Sequence, residues 1–171
     1  MTIGNSLQQF VFVRDFVNEY AGKLAPEMRE DGRTWATAHA LFKQQDFEKS
    51  ITLLSNHGFA SHLFSLHGKS LLVQAYFEAC KNDDSYFLFM LDFGEAFRKY
   101  IHRDQLLSTG RKTASLNFVK YTTILLKKMV EKKWDGKWLE NFEEQINQEE
   151  FMQGKQWILE KLGEIKDGLP S

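Results

Sequence analysis

Three histidines stand at equal spacing, His57, His62 and His67. Imidazole is the side chain best suited to metal ligation and to proton transfer near neutral pH. On a helix, however, a step of five turns successive side chains by about 140° and scatters them, whereas two ligands to one ion want a step of three or four. No HExxH, CxxC or acid-rich cluster accompanies them. They therefore read as capping, surface or hydrogen-bonded core histidines, and no metal or other cofactor is expected. The one cysteine, Cys80, precedes Lys81 near the end expected for a helix, where the dipole disfavours a thiolate. A buried structural thiol is the expectation. Glycines occur singly, as Gly94, Gly110, Gly136 and Gly154, with no GxGxxG or GxxxxGK[ST] run to cradle a phosphate. Glu143 with Glu144 and Glu149 with Glu150 fall on expected helices whose other faces are apolar, so solvation explains them better than acid–base work. No catalytic residue emerges, and the chain reads as non-enzymatic.

Charge is the feature that exceeds background. Between Arg98 and Lys137 there are eleven Lys or Arg against three acids, a local net of +8, while residues 1–97 carry −4 and residues 138–171 carry −5. At about 100° per residue, Lys120 and Lys127 nearly coincide on a helical wheel, with Lys112 and Lys128 about 80° to either side. Phe118, Tyr121, Leu125 and Met129 cluster opposite. These four lysines are the candidate partner-binding residues. Their basic face suits a protein with an acidic surface or, as the second reading, a nucleic-acid backbone. A pI near 6.5 argues against the second. The competing explanations are that the acidic final helices fold back on the basic one or that the lysines are simply solvated.

The elements that must position these residues follow from composition and periodicity. With 171 residues, 43% apolar, 26% charged and a net charge of −1, one folded domain over 1–171 is expected and disorder from charge excess is not. A single cysteine excludes an internal disulfide framework and suits a reducing compartment, so the cytoplasm is expected. The longest stretch free of charged residues, 50–68, is broken by Asn56, Gly58 and the three histidines, which argues against a membrane span. The first residues lack the basic flank and small-residue cleavage pattern of an export signal.

Only Pro26 and Pro170 would interrupt helices by locking φ and removing a donor. Spacings of three and four predict about eight helices and no strand. The first covers residues 3–24. A polar turn at 29–32 leads to a second at about 34–45, with small Ala36, Ala38 and Ala40 for close approach. Asp46 should cap a third, over 47–56, with Gly58 in a left-handed cap beyond it. A fourth runs over 61–80. A fifth, capped by Asp84, is apolar almost all round from Tyr86 to Ile101 and so reads as central and buried. Ser108 or Thr109 opens a sixth that reaches about Lys133, and 134–146 and 149–165 supply the last two. Phe10, Phe42, Phe77, Phe93, Phe97, Phe118, Phe142 and Trp157 should fill the core. Phe12 and Phe16 lie off the first stripe, offering a patch for a partner helix or a homodimer.

A weak internal repeat underlies this order. Ala40, Leu41 and Phe42 align with Ala75, Tyr76 and Phe77 at an offset of 35, and Phe47 aligns with Tyr86 at 39. A small residue and an aromatic before a turn, then an acidic-aromatic helix start, are similar to the tetratricopeptide hairpin, whose period is about 34 residues. The segments KSLLVQAYFEA from Lys69, DFGEAFRKYIHRDQLLS from Asp92, LNFVKYTTILLKKM from Leu116 and KQWILEKL from Lys155 extend the likeness. Over about 100 residues the chain resembles the C-terminal region of uncharacterised tetratricopeptide-like proteins of the Bacteroidetes. It departs from them at His67-Gly68-Lys69, where the relatives carry an acid before the basic residue. The resemblance implies an all-α superhelix of antiparallel helical hairpins and no activity. A protein-interaction or scaffolding module is the function expected.

Overall fold

The computed structural model describes residues 22–167, and every regular element among them is helical, so the protein is all-α. The helix expected over 3–24, with Phe10, Phe12 and Phe16, lies outside the described residues except at 22–24, which form a turn. Backbone contacts divide the chain into two compact units, Met1–Asp83 and Asp84–Ser171.

In the first unit a 3-10 turn, Pro26–Met28, leads into α1 (Arg29–Lys43), α2 (Phe47–Asn56) and α3 (His62–Cys80). Pro26 supplies a preset φ, and Glu30 and Asp31 place negative charge in the first turn of α1, where the dipole favours it. The expected polar turn at 29–32 is therefore helix. The short link to α2 puts Gln45 in the left-handed region at φ 64°, and Asp46 then accepts the Lys49 amide at 3.3 Å as the expected cap. Phe42 and Phe47 close this hairpin edge to face at 5.4 Å. Gly58 does not form the expected left-handed cap. Instead α2 ends on His57 in extended backbone.

The three helices pack pairwise on one another around Ala38, Phe42, Ile51, Leu54, Leu71 and Phe77. Ser50 sits wholly inside and satisfies its hydroxyl by donating to the Ala38 carbonyl at 2.9 Å. Both repeat-matched pairs, Ala40 with Phe42 and Ala75 with Phe77, are buried, as is Cys80. Gly68 in α3 is a close-approach position, because a Cβ there would lie 2.7 Å from the Phe59 ring.

The second unit comprises α4 (Tyr86–Arg103), α5 (Thr109–Glu131), α6 (Gly136–Gln148) and α7 (Lys155–Asp167). Ser108 caps α5 by accepting the Arg111 amide, and Asp135 caps α6 by accepting that of Trp138 at 2.7 Å. Asp84 does not cap α4; Ser85 occupies that position and makes no capping bond with its side chain. The expectation of a buried α4 also fails. Met90, Gly94, Phe97 and Ile101 are buried, but Leu88 and Phe89 are 68% and 60% exposed, because within the unit α4 packs on α5 along one face.

Helix α5 packs in turn on α7, and α7 on α6. Phe118 lies 6.1 Å from Trp157, Tyr121 lies 5.6 Å from Phe142, and Trp138 stacks on Phe142 at 4.7 Å. The last helix starts at Lys155, later than expected, since residues 149–154 are a loop. Gly154 ends that loop at φ 64° where a Cβ would stand 3.0 Å from Phe118, so both conformation and space favour glycine. No helix of the described residues is long and apolar enough to cross a membrane.

Candidate functional site

Lys112, Lys120, Lys127 and Lys128 all lie on α5, whose buried Ser115, Phe118, Tyr121, Thr122 and Leu125 hold it against its unit. Their surroundings differ. Lys120 Nζ stands 3.9 Å from Glu149 Oε1 and 4.6 Å from the Tyr121 ring, so the loop after α6 supplies its counter-charge. Lys128 Nζ lies 5.5 Å from the Trp138 ring on α6. Lys112 is half-buried near the start of α5 and Lys127 is exposed, and neither has an ion-pair partner among the described residues. The fold-back of acid on the basic helix thus accounts for Lys120 alone.

Glu149 was expected on a solvated helical face. It stands instead in the 149–154 loop as the centre of a polar clasp. Tyr121 Oη donates to its Oε1 at 2.7 Å and Asn117 Nδ2 to its Oε2 at 2.8 Å. Burial and the adjacent Glu149 carboxylate push the Tyr121 hydroxyl up to about 12, because both disfavour a second negative charge. Ser115 donates to Gln153 at 3.0 Å, the Gln153 amide donates to the Ala114 carbonyl at 3.1 Å, and Lys155 Nζ reaches the Glu149 carbonyl at 2.8 Å. The clasp fixes the loop against α5 and so fixes the counter-charge of Lys120.

The histidines resolve separately. His57 Nε2 donates to Asp31 Oδ1 at 2.8 Å, and the Ser61 backbone amide donates to Asp31 Oδ2 at 2.6 Å. Asp31 is 3% exposed, so a buried carboxylate ties the first turn of α1 to the link between α2 and α3. Here Ser61 contributes its amide and His57 Nε2 is committed to the carboxylate; the group is a staple. His67 lies 5.9 Å from Trp35, with which His39 stacks at 5.3 Å. Burial first, and Lys43 second, hold His39 below the usual histidine range. Among the described residues no group of three or more His, Cys, Asp or Glu side chains is placed to hold a metal ion.

Sequence reasoning missed Asp31 and Glu149. Their partners lie 26 to 32 residues away, and no local pattern marks such pairs. No protein-family model matches the chain, and neither a curated protein nor a solved structure matches it significantly.

Proposed function

We propose that the chain is a non-catalytic protein-interaction module of tetratricopeptide-like type, whose α5 face receives a partner with an acidic surface. The observation that carries the reading is the division among the four lysines. Lys120 and Lys128 are turned to internal partners, while Lys112 and Lys127 keep charge without an ion pair in the described chain. Charge left over after folding is what an acidic partner would complement. The pairwise packing of α1, α2 and α3 supports the tetratricopeptide-like element of the reading, since a hairpin followed by the first helix of the next is the unit of such arrays. The same lysines weigh against nucleic acid. Lys112 and Lys127 by themselves would neutralise about two phosphates and give a log–log salt slope of about −2, shallow beside that of a duplex binder with six or more contacts.

Affinity capture from source-cell lysate, with and without nuclease, tests this when wild type is run beside Lys112→Glu/Lys127→Glu. A stoichiometric protein that survives nuclease and is lost on the double variant is the expected result. Recovery of nuclease-sensitive nucleoprotein alone would overturn it in favour of the phosphate backbone.

A further inference from the structure

Along α4 the exposed residues Leu88, Asp92, Glu95, Lys99 and His102 follow one another at steps of four and three, and exposed Leu106 continues that spacing just past the helix end. At about 100° per residue Leu88, Asp92, Glu95, Lys99 and His102 lie on the side of the helix away from its buried Met90, Gly94, Phe97 and Ile101. Alternating steps of four and three align residues where two helices pack lengthwise; here the aligned side chains are mostly charged, unlike the apolar seam of a coiled coil, and they face solvent. Leu106 is 77% exposed, more even than Leu88, and Phe89 flanks the seam. Leu88 and Phe89 thus stand exposed at the start of α4 and Leu106 beyond its other end.

The charges along the seam say what covers it. From N- to C-terminus along the helix it runs apolar, acid, acid, base, imidazole. We propose that a second copy of this chain docks on α4, antiparallel, about a twofold axis. Such a contact is isologous, so each pairing occurs twice. With the axis level with residue 97, Asp92 meets the partner's His102 and Glu95 meets the partner's Lys99. Sliding by one layer would oppose Asp92 to the partner's Glu95 and Leu88 to the partner's Lys99, and a parallel pair would stack each charge on its own kind. Charge therefore selects both direction and register.

Little is lost inside the chain. Asp92 and His102 have no ion-pair partner among the described residues. Glu95 reaches Arg98 and Lys99 only at 3.9 and 3.7 Å between exposed side chains, the weak surface kind of pair. Helix α4, of 18 residues, is about 27 Å long, which sets a small interface and a dimer that depends on protein concentration.

Sedimentation velocity of the full chain over a concentration series tests the pairing. Wild type is expected to shift from monomer to dimer with concentration. Glu95→Lys and Lys99→Glu should each remain monomeric, with helicity by circular dichroism unchanged. An equimolar mixture of the two variants should dimerise again, because one then offers two cations where the other offers two anions. Restoration in the mixture cannot come from the Glu95 and Lys99 pair within one chain. A wild type that stays monomeric throughout, single variants that dimerise like wild type, or a mixture that stays monomeric would each overturn the proposal.

Discussion

Replacing Asp31 with alanine should cost the first unit about 3 kcal/mol. The carboxylate accepts two hydrogen bonds at 2.6 and 2.8 Å, and bonds to a charged group contribute about 1.5–3 kcal/mol each. Loss of an acid from the first turn of α1 adds about 0.3–1 kcal/mol. The His57 side chain is 16% exposed and can turn to water, regaining part of its bond, which keeps the total near the lower end of the sum. For a unit of 60–100 residues, about 4–8 °C of melting temperature goes with each kcal/mol, so scanning calorimetry should show a fall of about 12–24 °C. Hydrogen exchange read by mass spectrometry should place the loss of protection in α1, α2 and α3. Asp31→Asn should cost less, about 1–2 kcal/mol. Its carbonyl still accepts the Ser61 amide, and its NH2 can donate to a His57 whose proton has moved to Nδ1. In a double-mutant cycle, His57→Ala should add little once Asp31 is gone. An Asp31→Ala protein within about 0.5 kcal/mol of wild type, the scatter of ordinary surface changes, would refute the staple.

Two further outcomes follow from close packing and from the clasp. Gly68→Ala should destabilise by about 1–3 kcal/mol in urea titration, because its Cβ would meet the Phe59 ring at 2.7 Å, while Gly163→Ala, with nothing within 4 Å, should stabilise by about 0.5–1 kcal/mol. Of the five tyrosines, Tyr121 should ionise late in an alkaline ultraviolet titration, and Glu149→Gln should bring it down. Because its folded value of about 12 exceeds the unfolded value of 10.0, the stability it lends holds below about pH 10 and is lost as pH rises toward 12; Glu149→Gln should flatten that loss in urea midpoints.

What was legible in the sequence was local. Asp46 and Ser108 could be named as caps because the bond a cap makes reaches only three residues ahead. The all-α class followed from apolar spacing and the scarcity of proline. The start of α1 was hidden because Arg29, Glu30, Asp31 and Gly32 look like a turn, whereas Pro26 and the acids of the first turn make them helix. Helix α4 was misread because an apolar residue at nearly every angle suggests burial on all sides. Burial depends on how many neighbours a helix has, which composition does not record. Asp31 with His57, and Glu149 with Tyr121, join residues 26 and 28 apart, so no periodicity predicts them.

The same distinction governs the candidate surfaces. A run of eleven cations around α5 looked like one basic face, yet folding gives Lys120 an anion from a distant loop and sets Lys128 against an indole. What remains for a partner is the part of the charge that the fold itself leaves unpaired, and that quantity needs tertiary structure. Helix α4 shows the complementary case. Its Asp92 and His102 lie ten positions apart on one exposed stripe, too far for either to reach the other within a straight helix. Reversed on a second copy, the same separation brings each to the other. A charge pattern that its own chain satisfies only in part, and that a twofold axis satisfies pair by pair, is therefore an argument about assembly of a kind that net charge could never supply.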